Sequence, residues 1–177
     1  MAFTTPATAV AGTVLTASWL NTYVRDNVAW MATDSPAARA YNSANLSTTT
    51  GVATALTLNS ERFDNAAVHD TGSNTSRMTI PTGGGGKYII GGGVTWASSA
   101  LGAIRNSFVL LNGATILVVE QREPSAATNS QSGPCTTYAL ADADYVELIA
   151  QQDSTGNLNV NVAGNYSPEF WVLWTRT

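Results

Sequence analysis

His69 is the only histidine in the chain, so any Ser-His-Asp relay would have to pass through it. Asp70 follows directly, but neighbouring residues of an extended chain point to opposite faces, and adjacency alone does not make a relay. A loop histidine holding a local hydrogen bond is the plainer reading. Two acids suffice for glycoside hydrolysis, yet the carboxylates here are few and scattered, and Glu120 and Glu123, flanking Arg122, read as a solvated strand end. Asp142 and Asp144 share a face if the chain is extended. A calcium ion, which takes several oxygen ligands, is one reading of that pair, and a plain turn before a strand is the preferred one. No His-x-x-x-His set exists and Cys135 is the only cysteine, so no zinc site, thiolate cluster or intrachain disulfide is expected. The glycines at 83–86 lack the Gly-Lys-Ser/Thr ending of a phosphate loop and read as a flexible turn. No catalytic residue, metal or cofactor is assigned, and the chain is expected not to be an enzyme.

Composition points the same way. The 177 residues fit one domain with an appendage. Charged residues make up 11% of the chain, against roughly 25% in an ordinary soluble domain. Thr, Ser, Asn, Ala and Gly fill the gap. Such a surface repels its own copies weakly, which suits a protein packed beside itself; a secreted β-domain would share the composition. The net charge of −4 comes without any basic run, so no electrostatic footprint for nucleic acid is present. The N-terminus has neither the basic nor the apolar region of a signal peptide. No stretch approaches the ~18 apolar residues of a membrane span. The expectation is a protein made in a cytoplasm that needs another route out of it, such as assembly into a particle.

The elements follow from periodicity. Residues 1–15 read as extended, with Pro6 and Gly12 as breakers. Thr16 and Ser18 offer N-cap hydroxyls, and the next residues carry apolar side chains at helical spacing. Leu20, Val24, Val28 and Met31 line one face, with Trp19 and Tyr23 beside it, and the helix must end before Pro36. The stripe has no second helix to pack on, so it must rest on its own domain, on sister chains or on a larger assembly; the six residues are assigned to attachment, within an N-terminal segment 1–35. The remainder, 36–177, reads as short strands at 39–46, 54–59, 77–80, 87–96, 104–111, 115–121, 136–140, 145–152, 158–162 and 170–176. Asn112-Gly113 marks a type I′ hairpin. The glycines at 91–93 let a backbone or a large ring approach closely. Phe170, Val172 and Trp174 form one face of the last strand, and Trp171 and Leu173 the other. Both are apolar, so a cover beyond the opposing sheet is required. These five residues and Trp96 are assigned to a trimer interface or core. Tyr166, Trp96 and Trp30 could stack on sugar rings, and they suit a core or interface equally. The fold class is all-β, an antiparallel β-sandwich preceded by an extended segment and one helix.

From about Ala38 onward the sequence resembles the trimeric jelly roll of complement globular heads, tumour-necrosis-factor-like ligands and many phage virion proteins. The residues that carry the likeness are Arg39-Ala-Tyr41, Phe63-Asp64, Arg77-Met-Thr-Ile80-Pro81, Gly86-Lys-Tyr88 with Val94-Thr-Trp96, Arg105, Asn112-Gly113, and Asp144-Tyr-Val-Glu-Leu148, together with Gln152 and Gly156. The family usually has a glycine before that last motif, where this chain has Ala143. The run Ala11-Gly-Thr-Val-Leu15-Thr-Ala-Ser-Trp-Leu20-Asn21, with Arg25-Asp-Asn27, resembles the openings of phage tail and other virion proteins. The resemblance implies a homotrimer, no catalysis, and a bacteriophage virion structural protein: a fibre head, a tail or collar component, or a capsid decoration. It would bind other virion proteins through residues 1–35. A receptor- or carbohydrate-binding tail module, meeting a host surface glycan, is the alternative, and a glycan-cleaving enzyme the distant one.

Overall fold

The computed structural model describes residues 3–127 and 129–176. Thr16 caps the N-terminal helix as its position suggests, its hydroxyl accepting from the Trp19 N–H at 3.1 Å. The helix is not uniform: α1 (Ala17–Leu20) and α2 (Asp26–Ala29) are each followed by a π-helical stretch, Asn21–Arg25 and Trp30–Asp34. It ends at Ser35, which is extended, immediately before Pro36.

Thirteen strands follow among the described residues: β1 (Ala37–Tyr41), β2 (Leu46–Thr48), β3 (Thr54–Ala55), β4 (Ser60–Asp64), β5 (Arg77–Thr79), β6 (Gly86–Thr95), β7 (Arg105–Leu111), β8 (Thr115–Arg122), β9 (Gln131–Ser132), β10 (Cys135–Leu140), β11 (Tyr145–Gln152), β12 (Leu158–Val160) and β13 (Glu169–Arg176). One sheet runs β10-β6-β13-β1-β4, with β9 added to β6, and the other runs β3-β11-β7-β8, with β5 added to β11. All these pairs are antiparallel, and β2 and β12 form a separate two-stranded ribbon.

Three expectations change. The strand expected over 39–46 splits in two, because the Asn42 side chain accepts the Ala44 N–H at 2.9 Å and turns the chain. The strand expected over 54–59 pairs only at its first two residues. Beyond them Leu56 and Leu58 donate singly, to the carbonyls of Leu148 and Thr75. Strands β4 and β9 were not foreseen; β4 carries Glu61 and Arg62 on a polar sheet edge, and β9 is two residues long.

The two sheets enclose one core. Ala38, Ala40, Tyr88, Ile90, Val94, Phe170 and Val172 face Met78, Val109, Val146, Leu148 and Ala150. Trp96 is fully buried in it. The hairpin turns as its sequence suggests: Asn112 and Gly113 both take positive φ, 50° and 68°, and the Ala114 N–H donates to the Leu111 carbonyl at 3.0 Å.

Candidate interaction surfaces

The last strand sorts its two apolar faces. Phe170 and Val172 are fully buried between the sheets, whereas Trp171 points outward and Leu173 is 47% exposed. Trp174 lies at the open end of the sandwich, packed against the core edge and, at 4.7 Å between ring centroids, edge-on against Trp30. Of the residues assigned jointly to interface or core, Trp96, Phe170 and Val172 are thus core, Trp174 seals an end, and only Trp171 and Leu173 face outward.

The outward face is built around Trp171. Antiparallel pairing sets Trp171 between Gly91 and Arg39, and Leu173 between Ile89 and Ala37. Each of the three glycines makes room for something different. Gly91 admits the Trp171 ring, Gly92 admits Leu148 from the core, and Gly93 admits the backbone carbonyl of Tyr166. The Arg39 guanidinium stands 5.7 Å from the Trp171 ring. Phe63 of β4 completes a hollow of about 200 Å³ with Arg39, Trp171 and Leu173. Beyond Trp171 a second hollow of about 340 Å³ runs toward Tyr166, Arg122 and Gln131.

One buried carboxylate organises the charges on this face. Glu169 is 1% exposed and accepts on the same oxygen, Oε1, from Arg39 Nε at 2.6 Å and Arg62 Nε at 2.9 Å. Its Oε2 has no hydrogen-bond partner among the described residues. Arg62 also lies over the Tyr41 ring at 4.2 Å. A buried carboxylate oxygen left unpaired is costly unless a donor arrives from elsewhere. At the edge of the sandwich away from β4, edge strand β8 exposes Ile116 and Val119, and edge strand β10 exposes Tyr138.

The helix presents two sides. Trp30, 2% exposed, packs on Trp174 and on the Phe3 ring. Leu20, Val24, Val28 and Met31 are about half exposed, an apolar stripe left open among the described residues. Trp19 and Tyr23 meet at a tilt of 57°, 5.2 Å between ring centroids, and are half-buried. Periodicity locates the stripe but gives no sign that Trp30 is the residue that holds the helix to the domain.

The residues that could do chemistry are occupied with structure. His69 sits between the Glu61 carboxylate, 2.9 Å from Nδ1, and the Thr75 carbonyl, 3.1 Å from Nε2, so both ring nitrogens are engaged. Asp70 caps its own loop by accepting from the Gly72 and Ser73 N–H groups. Asp142 accepts from the N–H groups of Gly83 and Gly85, which hold its carboxyl below the usual range. Asp144 accepts from Ala141 N–H and Asn112 Nδ2. The Asp142/Asp144 pair therefore braces two turns, and no group of three or more His, Cys, Asp or Glu is placed to hold a metal among the described residues. Glu120 accepts from Gly133 N–H and pairs with Arg122. Arg105 is buried, donating to the carbonyls of Ile104, Leu101 and Ser99, and burial lowers its pKa against the opposing pull of Asp153.

No family model matches the chain, and no curated protein does. Solved structures do. Murine APRIL matches with a TM-score of 0.59 at 8% identity, covering 79% of this chain and 98% of its own. The globular domain of zebrafish complement 1qA matches with a TM-score of 0.54 at 12% identity, covering 80% of this chain and 99% of its own. The fold is therefore the jelly roll shared by tumour-necrosis-factor-like and complement-like domains.

Proposed function

We propose that this is a non-enzymatic structural protein of a bacteriophage particle, a homotrimer that attaches through residues 1–35 and displays the jelly roll. The observation that carries the reading is that large apolar side chains are exposed on two unlike parts of the sandwich. Phe63, Trp171 and Leu173 lie on a sheet face; Ile116, Val119 and Tyr138 lie on the far edge strands. A two-fold dimer needs one self-complementary patch, whereas two unlike patches meet head to tail and make a ring where the rotation between copies closes. Three copies is the number that the jelly-roll resemblance implies. The unpaired Glu169 Oε2 beside the sheet face would then receive a donor from the neighbouring copy.

Attachment rests on the stripe Leu20, Val24, Val28 and Met31, exposed on a helix whose other side is already packed. The helix lies at the end of the sandwich where β1 begins, so a partner on that stripe leaves the opposite loops outward. The place in the particle is a virion surface site, and no cofactor is involved.

Two measurements test the reading. Light scattering on the purified protein should give three times the 18.5 kDa chain mass; a stable monomer overturns the trimer. A chain beginning at Ala37 loses the Trp30 contact and some stability, but should remain β-rich and trimeric while failing to join particles. Incorporation of that chain at wild-type level overturns the attachment role.

A further inference from the structure

The N-terminal arm is held at one well-built point. Asn27 is buried, and its amide pairs with both backbone groups of Thr4. The Thr4 N–H donates to Asn27 Oδ1 at 2.9 Å, and Asn27 Nδ2 donates to the Thr4 carbonyl at 2.7 Å and to the Tyr23 carbonyl at 3.2 Å. One residue earlier, Phe3 tilts onto Trp30 at 5.7 Å between centroids. An amide that reads both the N–H and the C=O of one residue recognises extended chain whatever its side chain, and an adjacent aromatic seat supplies selectivity. Asn27 and Trp30 together hold the chain's own Phe3-Thr4 by contacts of the kind that a peptide-binding site uses.

The occupant is tethered with slack. Extended, the twelve residues from Thr4 to Thr16 would reach about 40 Å, while the helix rises only about 17 Å from Thr16 to Asn27. A reversal takes up the excess. The Thr13 N–H donates to the Val10 carbonyl at 3.1 Å, and Gly12 sits at φ +84° with nothing within 4 Å of where a Cβ would stand. Residues 4–18 are exposed along their length. Opening that one turn frees an arm whose reach matches the roughly 35 Å diameter of a domain this size.

We propose that the Asn27–Trp30 site docks the Phe3-Thr4 segment of a second copy, so that assembled chains exchange arms by opening at Gly12. The contacts are the same whichever chain supplies the segment. Once copies are held side by side, a neighbour's arm is present at an effective concentration comparable with the chain's own. The inference rests on the homotrimer reading and adds that the copies are laced together at the attachment end.

The test places cysteines at the clamp in full-length protein, Thr4→Cys and Asn27→Cys in a Cys135→Ser background. After oxidation, mass spectrometry under denaturing conditions should show covalent species at two and three times 18.5 kDa. Light scattering on the same sample separates the two readings. A trimer yielding only internally closed single chains overturns exchange and leaves the trimer standing, whereas a monomer overturns both. Because the cysteines remove the Asn27 amide, a second measurement keeps it. A synthetic peptide of residues 1–9 should bind the full-length Phe3→Ala chain saturably, and adding Asn27→Ala should weaken it about tenfold or more. No binding, or binding indifferent to Asn27→Ala, overturns the clamp.

Discussion

Trp171 occupies the space that a side chain at position 91 would need: a Cβ on Gly91 would stand 2.6 Å from Cζ2 and 2.8 Å from Cε2 of the indole. Gly91→Ala must therefore push the ring off the sheet. We expect a loss of about 1–3 kcal/mol in denaturant unfolding, with association weakened more than folding. A variant that melts and associates like the parent would show that the ring has somewhere else to go.

The two faces of β13 should respond differently to charge. Trp171→Glu or Leu173→Glu puts a carboxylate on the outward face and should give a folded chain that associates weakly. Phe170→Glu or Val172→Glu buries an unpaired carboxylate between the sheets and should abolish the fold. Circular dichroism with light scattering reads both quantities, and equal behaviour of the two sets would remove the assignment of faces.

Ala143 sits at φ 67°, a conformation that costs an L side chain roughly 1–2 kcal/mol. Glycine takes it freely, so Ala143→Gly should raise the melting temperature, offset in part by the entropy of a more flexible unfolded chain. A lowered melting temperature would mean that the alanine methyl makes a contact worth more than the strain.

His69→Ala removes the group between Glu61 and Thr75 and should cost about 1–3 kcal/mol of stability. Trimer formation and particle assembly should persist. A hydrolytic activity that disappears with this substitution would instead make the residue catalytic.

The chain should lose stability in acid through its turn aspartates. Backbone N–H groups hold Asp142 and Asp153 below their ordinary pKa of 3.8. For a folded pKa below the unfolded one, the stabilisation is complete above the unfolded value. It fades as the pH falls through the folded value. Denaturant midpoints followed from neutral pH to about pH 2 should fall more steeply for the parent than for Asp142→Asn. Parallel curves would show that the Gly83 and Gly85 bonds contribute nothing.

Much of this was readable beforehand because it depends on neighbours in the chain. The Thr16 cap, the stop before Pro36 and the Asn112-Gly113 turn are local chemistry, and the structure has each where the residues put it. The glycines at 91–93 announced a close approach, but not that Trp171, Leu148 and Tyr166 would each use one of them. What could not be read is the pairing of distant segments. Glu169 meets Arg39 and Arg62 only because β1 lies between β13 and β4, and a pentad such as Ser60–Asp64, with Phe63 its one apolar residue, has no alternation to advertise a strand. The same holds for Trp30, whose partner Trp174 lies at the far end of the sequence.

The entry of the chain into the domain sets how it answers to force. The segment assigned to attachment runs directly into β1, an interior strand pinned along one side to β13 from Ala37–Leu173 to Tyr41–Glu169 and along the other to β4. On the proposed attachment, a tug between segment and domain body would pull β1 along its own length. The hydrogen bonds on both flanks share that load in shear instead of opening one after another like a zipper. A domain attached this way would be fastened through a strand whose two ladders are loaded together.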